Sequence, residues 1–433
     1  MKKAYLFILT IIIIISACEK NSTSPNPPSG DILGCMDTTA LNYNYAATVD
    51  DGSCVYTGVL GCTDPTAINY NFDCAGNQVI ATVDDDCCTF AGTISASDRN
   101  ALLQNITNQI IIPVHNNLKN DIDNLTVKAV DFTNDVTPLN LSKLRNAWVK
   151  TYMSWQSVEM FNIGKAEEID YAKTMNTYPC DTSRINKRAS GEQTYNLNQG
   201  GFVSWAAQGL PALDYMLYGL NEDSNMIINY YTGSNGEQYL TYLNDVINQM
   251  DINTDLVIQD WAINKDAFIN SNGNTATSSM NMLTNDFIYF YEKGLRSNKI
   301  GIPCGYLSGV IYPIGIEAYY RGNISKRLAL KALNSCQDFF IGKGINSGGS
   351  GFSYDDILIV TGDTDLSADI IDNLASAEIE INNLNDDFRQ QIIDNNTSME
   401  NARIALHTVV TLLKTEMLFA LDMDVDYADS DGD

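Results

Sequence analysis

From Ser97 to Leu421 apolar side chains recur every three or four residues and seldom every two. Helices are the elements that can bury such a period on one face. Leu141, Leu144, Trp148, Trp155 and Glu159 fall close to one stripe, opened by Pro138, a residue suited to the first helical turn. The spacing returns in Tyr239 to Ile269, Met280 to Arg296, Ile314 to Phe340, Leu366 to Ile393 and Thr397 to Leu421. Gly, Asn, Ser and Pro gather between these stretches, and Gly342 to Gly351 is long enough for a mobile loop. The pattern predicts an all-α protein of two packed helical bundles.

The segment before the helices reads differently. Lys2 and Lys3, an apolar run from Leu6 to Ile15, and Ile15-Ser16-Ala17-Cys18 have the order of a lipoprotein signal peptide over residues 1–17. The apolar run is too short to span a bilayer permanently. Acyl chains on Cys18 would anchor the mature protein, and residues 18–33, rich in Ser, Asn and Pro, would form the tether. The expected location is the cell envelope, lipid-anchored, at the outer membrane on its periplasmic or surface face.

Residues 34–90 contain two related units. Gly34-Cys35-Met36-Asp37-Thr38-Thr39-Ala40-Leu41-Asn42-Tyr43-Asn44 returns as Gly61-Cys62-Thr63-Asp64-Pro65-Thr66-Ala67-Ile68-Asn69-Tyr70-Asn71. Ala47 to Cys54 matches Ala81 to Cys88 once an insertion around Cys74 is allowed. That register suggests Cys35–Cys54 and Cys62–Cys88 disulfides, with Cys74–Cys87 closing the insertion. Units this small need staples, and six cysteines in so short a stretch point to an oxidising compartment. The units resemble repeats of secreted Bacteroidetes proteins, a likeness that carries no activity. Their paired aspartates are candidates for calcium, although the spacing of an EF-hand loop is missing. Cys180, Cys304 and Cys336 lie further on, and two of them can pair.

The 433 residues carry a net charge of −27, which argues against nucleic acid and favours cations as partners. There are two histidines, His115 and His407, so a His-rich zinc site is excluded and a metal would rest on carboxylates. The acidic tail, 422–433, resembles a calcium loop, but Tyr427 falls where the turn glycine is needed.

Trp155-Gln156-Ser157-Val158-Glu159-Met160-Phe161-Asn162-Ile163-Gly164 resembles the Trp-x-x-x-Glu-x-Phe-x-Phe-Gly segment of imelysin-like proteins. Tyr178-Pro179-Cys180-Asp181 looks like their Trp-Pro-x-Asp turn, and Lys299 to Gly305 matches their Lys-x-Gly-x-Pro-x-Gly segment. Gly209-Leu210-Pro211-Ala212-Leu213-Asp214 stands where that family carries Gly-x-His-x-x-Glu. The resemblance runs from about residue 97 to the end. It implies two four-helix bundles related by an internal pseudo-repeat over 97–421, with the boundary near 235–275 and the motif close to their junction. Such proteins are classed as M75 peptidases and linked to iron uptake or regulation.

Both ligand positions of the motif are changed here, because proline cannot coordinate a metal and aspartate is one methylene shorter than glutamate. Glu159, Asp214 and Glu317 are the candidate ligands for iron or another divalent cation, with Gly209, Pro211 and Asp214 as the motif positions. Each has a plainer reading. Glu159 can belong to a structural ion pair, and Asp214 can sit in the first turn of a helix started by Pro211. Peptidase chemistry wants nitrogen ligands and a general base as in His-Glu-x-x-His, which is missing. Gly348-Gly349-Ser350-Gly351 lacks the spacing of a nucleophile elbow, and Gly342-Lys343-Gly344 is not a phosphate loop. The expectation is a lipid-anchored envelope protein that binds a metal or small ligand, partnered with the membrane and an outer-membrane receptor. A scaffold with a degenerate site is the second reading, and a metallopeptidase the third.

Overall fold

Ser95 begins the helical part. Its hydroxyl accepts the Asp98 N–H at 3.1 Å while the Asp98 carboxylate accepts the Ser95 N–H at 2.8 Å, a reciprocal cap that satisfies two donors at the helix start. The computed structural model describes residues 32–425 apart from 37, 39, 55–57, 66, 68, 74–76, 85–87, 89–91 and 346–349. Cys18, the Cys74–Cys87 pair and residues 426–433 of the acidic tail lie outside the described residues. Contacts divide the chain into two compact units that part at residues 90 and 91.

In the second unit α1 (Ala96–Asn105) passes through a wider π-helical segment, Ile106–Ile111, into α2 (Ile112–Asn134). The helix α3 (Pro138–Trp155) starts on Thr137, whose hydroxyl accepts the Asn140 N–H at 3.3 Å. It buries Leu141, Leu144, Trp148, Tyr152 and Trp155 on the stripe that the sequence shows. The short α4 (Gly209–Asp214) and the long α5 (Gly236–Asn270) pack with α2 and α3 as the first bundle. The second bundle holds α6 (Ser279–Tyr289) with the π-helical continuation Phe290–Gly301, α7 (Ser325–Phe340), α8 (Thr364–Asn382) and α9 (Asn396–Thr411). One apolar core runs through both. Among the described residues no helix is long and apolar enough to cross a membrane.

Two helical stretches are shorter than their periodicity predicts. Ile314 to Ile324 is irregular, because Pro313, a left-handed Ala318 (φ 56°) and Gly322 (φ 74°) interrupt it, and the helix begins at Ser325. Leu366 to Ile393 divides into α8 and a second helix, Phe388–Asp394. Cys180, Cys304 and Cys336 are all free thiols, so no pair forms among them.

The first unit repeats its hydrogen bonds. The Asn44 N–H reaches the Cys35 carbonyl and the Asn71 N–H the Cys62 carbonyl, each at 2.9 Å. The Ile32 N–H meets the Thr48 hydroxyl and the Val59 N–H the Thr82 hydroxyl, again at 2.9 Å. Cys35–Cys54 and Cys62–Cys88 close the two units. With just two residues in each of β1 (Leu33–Gly34) and β2 (Val49–Asp50), covalent closure does most of the ordering. Replacing Cys62 and Cys88 by serine removes a bridge across 26 residues and is expected to destabilise that repeat by about 3–4 kcal/mol. Limited proteolysis should then cut between residues 62 and 88 while 92–425 stays protected, and an uncut repeat would contradict it.

Candidate functional site

One face of α3 and the turn beyond it carries Arg145, Trp148, Tyr152, Gln156 and Glu159 at steps of three and four residues. This face meets the 305–324 connection and the end of the π-helical segment. Lys299 is buried there, and its ammonium donates to both oxygens of Glu317 at 2.8 Å and to Glu159 Oε2 at 3.4 Å. The Asn176 amide donates to Glu317 at 2.8 Å and to Glu159 at 3.3 Å, and Gln156 donates to Glu317 at 3.0 Å. The Tyr152 hydroxyl orients Asn176 by donating to its carbonyl at 2.6 Å.

The cluster holds two carboxylates around one ammonium. Burial pushes the Glu159 carboxyl up, Lys299 opposes that rise and Glu317 reinforces it. Burial works against the charge on Lys299, but Glu159 and Glu317 outweigh it and hold the ammonium above its ordinary value. Burial raises the Tyr152 phenol well above its ordinary value, with Glu317, Tyr178, Asp214 and Glu159 adding to it. Lys299 therefore stays charged, and of the two carboxylates Glu159 is the more exposed, with 14% of its side chain open to solvent against 2% for Glu317.

Asp214 stands apart from this pair. It is the last residue of α4 and not part of its first turn. Its two oxygens accept the backbone N–H groups of Tyr320 at 2.8 Å and Arg321 at 2.9 Å. The motif's other positions are structural too. Gly209 has φ 71°, and a Cβ there would lie 2.4 Å from the carbonyls of Thr174 and Met175, so backbone takes the space a side chain would need. Pro211 walls a cavity of about 10 Å³ with Tyr178, Cys180, Asp214 and Ile316, room for one water at most. The Trp148 indole ties α3 to α4 by donating to the Leu210 carbonyl at 3.1 Å.

These residues do not fit a resident divalent ion. Pro211 offers no lone pair, both oxygens of Asp214 are taken by backbone donors, and Lys299 occupies the space between Glu159 and Glu317. Among the described residues no group of three His, Cys, Asp or Glu side chains is placed to hold a metal. In the repeats, Asp50 and Asp51 each accept a backbone N–H, from Gly52 at 3.1 Å and Ser53 at 3.0 Å, and so shape a turn. His115 is buried near Phe161, with Nδ1 2.7 Å from the Ile111 carbonyl, and burial pushes its imidazole down to about 4. His407 faces Arg296 at 3.2 Å.

Residues 111–415 match the family model described as Imelysin, Peptidase M75. The chain belongs to the imelysin family. Among solved structures it is similar to an imelysin-like protein from Psychrobacter arcticum 273-4, with a TM-score of 0.62 and 17% identity over 78% of this chain and 99% of that one. It is also similar to a protein from Parabacteroides distasonis ATCC 8503 described as an iron-regulated protein A precursor. There the TM-score is 0.58 at 14% identity, over 74% of this chain and 95% of that one. At these identities the likeness is one of fold. No curated protein matches the chain.

Glu159 and Glu317 were candidate ligands of this imelysin chain from sequence, whereas Lys299 and Gln156 entered only as positions of family-like segments and Asn176 not at all. Lys299 was visible as a lysine entering an uncharged Ile300 to Ile316 stretch, where a cation can be buried only with a partner. Lys299→Met leaves the carboxylates without their counter-charge and should cost about 3–5 kcal/mol in urea unfolding. Adding Glu317→Leu should restore much of that loss. A single-variant loss below about 1 kcal/mol would mean that the cluster is well hydrated.

Burial drives the Asp214 carboxyl up to about 7, against the opposing pull of the Tyr320 and Arg321 N–H groups. The folded chain thus holds this proton more tightly than the unfolded one. The stabilisation is complete below about pH 4 and is lost as pH rises through about 7. The stability of the wild type relative to Asp214→Asn should fall over that window, and a difference that stays flat with pH would refute the shift.

Proposed function

We propose that this imelysin-family protein is a lipid-anchored envelope protein that serves iron handling by binding rather than by proteolysis. The observation that carries the reading is Lys299, which takes the position between Glu159 and Glu317 that a catalytic cation would need. With Pro211 in the motif, no side chain there supplies the open coordination position and general base of a metallopeptidase. Membership of a family with a structural neighbour described as iron-regulated supports iron as cargo. The signal sequence ending at Cys18 supports attachment to the outer membrane, and an outer-membrane receptor is the partner this placement favours.

The scaffold reading draws on one feature. Leu307, Val310, Tyr312 and Ile314 are exposed on a connection held by its own hydrogen bonds, such as Tyr312 N–H to the Pro303 carbonyl at 2.8 Å.

Four measurements on cells and on the mature chain test the proposal. Labelled fatty acid should be incorporated, and Cys18→Ala should release the protein from the membrane fraction. An iron species at a hundred times its dissociation constant should stabilise the fold by about 2.7 kcal/mol in thermal melts. Chelator-sensitive cleavage of a denatured protein substrate that Glu159→Gln abolishes would overturn the non-catalytic reading, and melts unmoved by any iron species would leave the scaffold.

A further inference from the structure

Arg145, Tyr218 and Arg321 meet from three parts of the helical unit: α3, the π-helical turn Tyr215–Gly219 after α4, and the end of the 305–324 connection. The Arg145 guanidinium carbon lies 4.7 Å from the centre of the Tyr218 ring, and that of Arg321 lies 5.4 Å from it. Two like charges are thus gathered on one aromatic ring. Burial lowers the Arg145 guanidinium from its ordinary value and Arg321 adds to that, while Tyr218 and Tyr231 oppose it.

Acidic residues are abundant in this chain, 53 against 26 basic ones. Among the described residues no carboxylate lies within the 4.0 Å of an ion pair from either guanidinium. Arg145 spends Nε and one terminal nitrogen on the Leu217 carbonyl, at 2.8 and 2.6 Å, which fixes its fork in place. Arg321 is placed by its backbone N–H on Asp214, and its buried Nε has no partner. Asp214 attracts Arg321 electrostatically, but its two oxygens are taken by backbone donors and it makes no ion pair with either guanidinium. All three side chains are half-buried, with part of each left at the surface.

Guanidinium groups match carboxylates because parallel N–H donors meet two coplanar oxygens, and a flanking aromatic ring keeps both fork and ligand flat. We propose that Arg145 and Arg321, gathered on Tyr218, form a binding site for the carboxylate groups of a small organic anion. This rests on the binding reading above and specifies its cargo as iron carried by a carboxylate chelator. It also accounts for cargo recognition in a chain whose own buried carboxylates are already held by Lys299.

The test is calorimetric titration of the mature protein, without a His tag, against citrate, ferric citrate, inorganic phosphate and, anaerobically, ferrous chloride. Citrate and ferric citrate should bind, and Arg145→Gln and Arg321→Gln should each weaken them by about tenfold or more, as expected when a charge-assisted donor is lost. Arg145 also holds the Leu217 carbonyl, so a melting curve accompanies each variant, and Arg321→Gln decides if Arg145→Gln fails to fold. Phosphate binding as tightly as citrate would overturn the carboxylate assignment. Ferrous chloride binding equally to wild type and both variants, with no citrate binding, would overturn the arginine site and leave the iron reading standing. No heat with any of the four would overturn both.

Discussion

The contact between Lys299 and Glu317 is the one on which the centre of this molecule depends. Two bundles share a core, but the connection from 305 to 324 is irregular and has few helical hydrogen bonds of its own. It is clamped at two points. Glu317 is drawn to Lys299 on one side of the left-handed Ala318, and the N–H groups of Tyr320 and Arg321 are drawn to Asp214 on the other. A buried ion pair of this kind adds little net stability compared with an apolar substitute, yet it tolerates few alternative geometries. The bidentate contact and the amides of Asn176 and Gln156 satisfy Glu317 in one arrangement. That arrangement sets where α3 and α4 meet the second bundle.

Seen from there, the altered motif has a consistent physical role. Gly209 lets two backbone segments touch, Pro211 closes a wall around space for one water, and Asp214 holds a loop by its backbone. None of the three needs a metal to be satisfied. The charge that a metal would bring to Glu159 and Glu317 is brought by a lysine belonging to the chain itself. A fixed ammonium differs from an exchangeable ion in that it cannot leave, so Glu317 keeps its counter-charge for as long as the chain is folded.

Helix content was legible because α3, α5 and α9 bury one face against a core, and a 3.6-residue period has no other economical packing. Where periodicity failed, the cause was local chain geometry. Ile314 to Ile324 has helical spacing of apolar residues, but Pro313, Gly315 and Gly322 let them reach the core from an irregular path. The staples of the first unit were legible because the repeat supplied its own register. Glu159 could be singled out because it continues the apolar stripe of Trp155, and Glu317 through the family resemblance. Their bond to Lys299 could not, since it joins residues 140 and 18 positions apart through a turn that the spacing does not encode. Asp214 was open to the opposite error. Its place six residues into α4 follows from where Gly209 bends the chain, and a left-handed glycine leaves no signature in periodicity.

The two cysteine-closed units differ in one dimension. Several of their hydrogen bonds correspond, but the second disulfide spans 26 residues against 19 in the first. The extra length is taken up between Asn71 and Thr82, while the bonds on either side keep their places. Natural variation has therefore already carried out an insertion experiment, and it identifies a permissive site. An epitope or fluorophore-acceptor peptide grafted at the corresponding point of the first unit, between Asn44 and Thr48, would inherit a closed, covalently bounded loop and would report on the protein from outside its helical domain.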